Sequence, residues 1–128
     1  LVDARLAPDM LTLVGQIQRA SDASKLGTAR IAGIAAPSFP DEEKTWDDLV
    51  ARIAKTHDFL AGVDRALIDG HEDRAVTIKT REGEATFTAQ RYLLQFALPN
   101  FFFHVTTAYD VLRHKGMPIG KLDYLGKF

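Results

Sequence analysis

Apolar positions along this chain recur at the three-to-four residue spacing of a helix face in three long stretches, and switch to strict alternation only once. The first stretch predicts a helix from Asp9 to about Ala35. It opens behind Pro8, whose missing N–H costs nothing at a helix start, and ends before Ala36-Pro37-Ser38-Phe39-Pro40. Gly15, Gly27 and Gly33 weaken that helix, and close helix packing is the expected reason for them, because no strand and tight turn precede them as phosphate binding would require. The second helix starts with Thr45 as N-cap and Asp48 three residues later, the spacing of a capping box. From there Trp46, Leu49, Val50, Ile53, His57, Leu60 and Ala61 share one face. Val63 to Asp69 reads as a last turn or a short separate helix, which Gly70 stops.

Alternation over Ala75-Val76-Thr77-Ile78-Lys79 and again over Glu84-Ala85-Thr86-Phe87, with Arg81-Glu82-Gly83 between, predicts a small hairpin. Two short strands are marginal alone, so the ribbon is expected to lie against the helices. Thr88 then caps a third helix running from Ala89 to Lys115, with Pro99 either kinking it or ending one segment and starting the next. Gly116-Met117-Pro118 stops it. The tail from Ile119 to Phe128 is too short to fold alone and too apolar for a disordered end. The expectation is one mainly α domain over residues 1–128, a helical bundle with a hairpin before its last long helix.

Composition narrows the function classes. Sixteen basic residues against seventeen acidic ones are interspersed and leave a net charge of -1. No basic tract exists to neutralise a phosphate backbone, so no nucleic-acid partner is expected. No apolar run approaches the roughly 20 residues that span a bilayer, so no membrane partner is expected either. With no cysteine there are no disulfides, thiolate nucleophiles or thiolate metal ligands; this fits a reducing compartment, and the cytoplasm is the expected location. Phosphate loops, His-Glu-x-x-His metal motifs and nucleophile elbows are absent.

The candidate chemistry is therefore dispersed. His57 falls within about 20 degrees of Trp46 on the helix wheel, between Ile53 and Leu60, and is expected to point inward as a hydrogen-bonded core histidine or as a ligand. His104 lies beside the stripe of Phe101, Val105, Ala108 and Leu112. Asn100 and Thr107 flank it in a polar seam that is either a bonded network or the wall of a pocket. Gln18 and Asp22 sit one turn apart on the first helix, Gln18 as a further pocket-lining candidate. A half-buried Asp22 needs a partner, which Lys25 at i+3 can supply. The sharper alternative joins Asp22, His57 and His104, one from each long helix, into a site for a divalent Zn, Ni, Fe or Mn ion. Asp110 and His114, four apart near a helix C-terminus, read as a structural pair. Phe101, Phe102 and Phe103 cannot all face one core, because successive residues are about 100 degrees apart. A homodimer is the expected use of the surplus apolar surface.

Ala7-Pro8-Asp9-Met10, the surroundings of Ala20, Asp22 and Lys25, and above all the block from Leu98 to His114 followed by Pro118-Ile119-Gly120-Lys121 and Asp123-Tyr124-Leu125-Gly126, resemble the uncharacterised bacterial domain family DUF1993. The resemblance covers nearly the whole chain, and that family is similar to the DinB/YfiT-like group of metalloenzymes built on a four-helix bundle. It implies a metal held by three histidines, one on an earlier helix and two spaced four apart on the last. His104 matches the first of that last pair, but Ala108 stands four residues on, and the earlier helix offers Gln18 or Asp22 in place of a histidine. It also implies a further helix ahead of the position of Leu1. Without that helix, an apolar groove is expected, filled by it or by a symmetry-related subunit. Two functions stay open: a non-catalytic module that binds a small molecule or serves structurally, and a metal-dependent enzyme, in the wider group a thiol-dependent transferase.

Overall fold

The computed structural model describes residues 1–128, and its centre is α1, Leu13–Ala32. This helix starts four residues later than the apolar period suggests. The first twelve residues turn back on themselves, so that Leu13 N–H donates to the Ala4 carbonyl at 2.7 Å and Val14 N–H to that of Val2 at 3.1 Å. These contacts and the Thr12 hydroxyl, which accepts from Gly15 N–H at 3.3 Å, satisfy first-turn donors that would otherwise be orphans. The helix ends at Gly33, in the left-handed region at φ +69°, while Ile34 N–H reaches back to the Ala29 carbonyl. Gly33 therefore serves as a cap, and an added Cβ there would also lie 3.1 Å from the Arg74 guanidinium. The packing expectation holds at Gly27, where an added Cβ would lie 3.3 Å from that of Ala97.

The second helix, α2, spans Trp46–Ala61 with the expected box: Thr45 Oγ1 accepts from Asp48 N–H, and the Asp48 carboxylate accepts from Thr45 N–H at 2.8 Å. A 3-10 turn at Arg65–Leu67 follows, then β1 (Ala75–Thr80) and β2 (Gly83–Thr88), an antiparallel pair with Val76 opposite Phe87 and Ile78 opposite Ala85. Alternation turns Val76 and Ile78 inward against Ile31, Ala89 and Tyr92, while Thr77 and Thr86 share a 2.9 Å hydrogen bond on the exposed face. The hairpin thus gains from the helices the cover it lacks alone.

Thr88 caps α3, Ala89–Tyr92, which passes through a π turn at Leu93–Ala97 into α4, Leu98–His114. Pro99 has no N–H to give the Gln95 carbonyl. The wider turn absorbs this, Leu98 N–H bonding to Leu93 O five residues back, and the helical path continues where the sequence left a kink or a restart open. Gly116, at φ +86°, stops α4. The tail then folds back as α5, Lys121–Leu125, with the Tyr124 ring against Tyr109 and its oxygen accepting from the Thr106 hydroxyl at 3.2 Å.

Two cores result. One joins the hairpin to α3 and the end of α1; the other, Leu13 with Ala108 and Val111, joins α1 to α4. Both α2 and α4 pack on α1, and they face each other across a cleft.

Candidate functional site

The polar residues of α1 serve structure. Arg52 of α2 is fully buried, at 0% exposure, and its guanidinium gathers Ser21 and Asp22 of α1 together with acids of the segment before α2. Nη2 donates to Asp22 Oδ1 at 3.0 Å, Nη1 to Asp41 at 2.9 Å, to Glu43 at 3.1 Å and to the Pro40 carbonyl at 3.2 Å, and Nε to Ser21 Oγ at 3.1 Å. Glu43 also accepts from Gln18 Nε2 at 2.9 Å. Burial alone would raise the Glu43 pKa, but the hydrogen bonds from Gln18 and Arg52 outweigh it and hold the group below its ordinary 4.5. Ser21 and Thr56 hydroxyls share a 2.7 Å bond beside this cluster. Each nitrogen of the buried guanidinium has an acceptor, and these bonds offset the cost of burying its charge.

This network removes Asp22 from any metal site. Its Oδ1 also meets Lys25 Nζ at 3.2 Å and its Oδ2 meets Arg19 at 3.3 Å, so three cations share one carboxylate. The local Lys25 pair is present, and Arg52 is the stronger partner that sequence reasoning missed. A signal existed: Arg52 lies between Leu49 and Thr56 on one helix line, shortly after Asp41 and Glu43. Arg52 belongs to the buried line and His57 does not. The His57 side chain is 81% exposed and borders the cleft mouth, because α2 is rotated to press Leu49, Arg52 and Thr56 on α1.

His104 is half-buried, and its Nδ1 lies 2.7 Å from Gln16 Oε1. Gln16 turns its own Nε2 to the Leu11 carbonyl at 3.5 Å, which leaves Oε1 for the ring and places the imidazole proton on Nδ1. Burial lowers the His104 pKa below 6.5, and the Arg19 charge lowers it further. Asp22, His57 and His104 do not converge, and no three His, Asp or Glu side chains stand close enough to hold an ion. The metal implied by resemblance therefore does not fit these residues: Ala108 offers a methyl where a second donor is needed, and Asp22 is committed to cations.

The other polar candidates also fall elsewhere. Gln18 serves Glu43; Thr107 is buried with its hydroxyl donating to the Phe103 carbonyl at 2.7 Å; Asn100 is half-buried outside the cleft wall. None lines the pocket, because all three lie on helix sides turned away from the α2 to α4 gap. Asp110 and His114 are both exposed and form no ion pair, so that structural pair is absent.

What the fold does build is a cleft of ≈ 470 Å³ between α1, α2 and α4, closed at one end by α5. Trp46, Ile53 and Leu60 wall one side, Phe101, Val105 and Leu112 the other, over a floor that includes Ile17 and Ala20. Four of its hydroxyls are already engaged internally: Ser21 with Thr56, Ser24 to the Ser21 carbonyl at 2.9 Å, and Tyr124 with Thr106, while the Tyr109 hydroxyl makes no hydrogen bond.

Three long helices with a hairpin laid over the joint before the last one define a DinB-like helical bundle. The crystal structure of a DinB family member from Shewanella denitrificans matches with a TM-score of 0.90 and 37% identity, covering 100% of this chain and 72% of that one. The model of DUF1993, a domain of unknown function, matches residues 1–125, and the chain belongs to that family. No curated protein matches it.

Proposed function

We propose that this chain is a non-catalytic binding module whose working surface is the apolar cleft between α1, α2 and α4. The observation that carries this reading is the wall itself: ≈ 470 Å³ bounded by 17 residues, 12 of them hydrophobic. That volume falls within the roughly 300–1,000 Å³ of ligand sites. Apart from His57 at the cleft mouth and the Tyr109 hydroxyl, the groups able to move protons or bind metal lie elsewhere or are engaged. Asp22 and Glu43 are ion-paired with Arg52, and His104 is bonded to Gln16. A metal-dependent transferase would need at least a second donor near His104, and the chemistry of Ala108 argues against it.

Trp46, the one tryptophan, stands in the cleft wall and reports on it directly. The fluorophore 1-anilinonaphthalene-8-sulfonate is expected to bind one-to-one, with energy transfer from Trp46. Ile53→Glu, which puts a carboxylate into the wall, should weaken it by about tenfold or more, the consequence of losing a central apolar contact. Unsaturable binding, or an Ile53→Glu variant that binds as the parent does, would overturn the reading.

A further inference from the structure

The hairpin stands apart from the cleft, none of whose lining residues it supplies, and it has an open edge. Ala89 N–H donates to the Arg74 carbonyl at 2.7 Å, so Arg74 and Ala89 face each other as a bonded pair at the mouth of the ladder. In the observed register bonded pairs then recur at every second residue, Val76 with Phe87, Ile78 with Ala85 and Thr80 with Gly83. The N–H and C=O groups of Ala75, Thr77 and Lys79 therefore point away from β2. No other backbone or side-chain group reaches them, and all three residues are exposed. Such a row of free backbone groups is a template for a further strand. Little blunts it here: β1 has no proline and no bulge, and its one charge, Lys79, comes next to its end.

We propose that a second copy of this chain occupies this edge, β1 pairing antiparallel with β1 of its mate about a two-fold axis at Thr77. The two Thr77 residues then exchange N–H to C=O bonds, and Ala75 of each copy exchanges them with Lys79 of the other, about six bonds in all. Two hairpins, each marginal as a two-stranded unit, become one four-stranded sheet. The register also keeps the faces in place. Val76 falls beside Ile78 of the other copy on the helix-covered side, and Thr77 stays on the open side. Charge selects β1 over β2. The axis at Thr77 sets Asp73 of each copy across from Arg81 of the other, and neither residue has an ion pair within its own chain. Glu72, next to Asp73 and across from Glu82, has its carboxylate turned to Gly70 N–H at 3.1 Å. On the β2 edge an axis at Thr86 would set Arg81 against Arg91, and the half-buried Thr88 there runs straight into α3. Pairing of one edge with itself closes at two copies.

The chain has no cysteine, so Thr77→Cys supplies a single thiol on the axis. Bonded strand partners have Cα atoms about 5.5 Å apart, within disulfide reach. Mild oxidation is expected to join Thr77→Cys into a covalent dimer, while Thr86→Cys, one strand further from the axis, stays unlinked. In sedimentation equilibrium the parent chain should be a dimer. Thr77→Pro deletes an edge donor that the hairpin does not use, and should weaken association by about tenfold or more with the far-UV spectrum unchanged. Asp73→Arg should weaken it too, and adding Arg81→Asp should restore it. A chain that sediments as a monomer and does not cross-link through Thr77→Cys overturns the proposal. So does a dimer that Thr77→Pro leaves intact and in which Thr86→Cys cross-links as readily as Thr77→Cys. A double exchange that restores nothing overturns this register.

Discussion

Arg52 carries more of this structure than any other single side chain. It replaces the apolar contact expected at the α1 to α2 junction with a guanidinium whose acceptors come from α1 and from the segment leading into α2. Arg52→Ala leaves Asp22, Asp41 and Glu43 facing one another without their shared cation, and should lower stability by about 3–5 kcal/mol in urea titrations. Arg52→Met, which fills the space, should recover part of that loss only when combined with Glu43→Gln; full recovery by Met alone would mean the charge contributes nothing. His104 gives a second prediction. Its pKa is depressed by burial and by Arg19, so the unfolded chain binds the proton more readily and stability falls as pH drops from about 6.5 through the folded value. Nuclear magnetic resonance should show the His104 ring losing its charge at lower pH than an ordinary imidazole, with the proton of the neutral ring on Nδ1; a neutral ring protonated at Nε2 contradicts the Gln16 arrangement.

At the scale of elements, α2 is the weakly held member. Leu49 is its one buried apolar side chain, beside Arg52 and Thr56, whereas α4 meets α1 through Leu13, Ala108 and Val111. Glu43 has a depressed pKa, so the stability it lends α2 is present above 4.5 and is lost as pH falls through its folded value. Acidification should therefore shift Trp46 emission to longer wavelength before far-UV ellipticity falls, and Glu43→Gln should remove that early step. A single transition seen by both probes would show that α2 is no weaker than the rest. At the other end of α1, Gly27→Val would drive a branched side chain into Ala97 of the π turn and should cost about 1–3 kcal/mol in thermal unfolding.

Elements were readable where the signal is local. The Thr45 to Asp48 box, the hairpin alternation and the Thr88 cap all depend on neighbours within four residues, and each stands where the pattern puts it. The start of α1 was not legible, because Leu13 and Val14 are satisfied by carbonyls of a segment that doubles back nine or more residues earlier. The π turn was half legible: Pro99 announces a disturbance but cannot say that five residues will absorb it.

The whole molecule is a bundle with one apolar side open, and there sequence reasoning reached its limit. The stripe from Trp46 to Leu60 reads as core because apolar spacing records a buried face without recording what buries it. His57 went wrong for the same reason: it lies on that stripe, and the stripe faces the cleft mouth. Asp22 was placed correctly as half-buried and in need of a partner, yet the decisive partner came from 30 residues away. The surplus aromatic surface expected at Phe102 and Phe103 is there, 48% and 57% exposed. A tag-free sample titrated with Zn²⁺ by calorimetry should give no stoichiometric binding dependent on His104. One-to-one binding lost in His104→Ala would restore the metal reading.

The most direct test of the account is a two-dimensional amide resonance map of the chain titrated with anilinonaphthalene sulfonate. The account predicts that Trp46, Ile53, Leu60, Val105 and Leu112 move together with one affinity while Gln18, Asp22 and Glu43 stay in place. Shifts centred on His104 and Asp22, with the α2 and α4 walls unmoved, would contradict it.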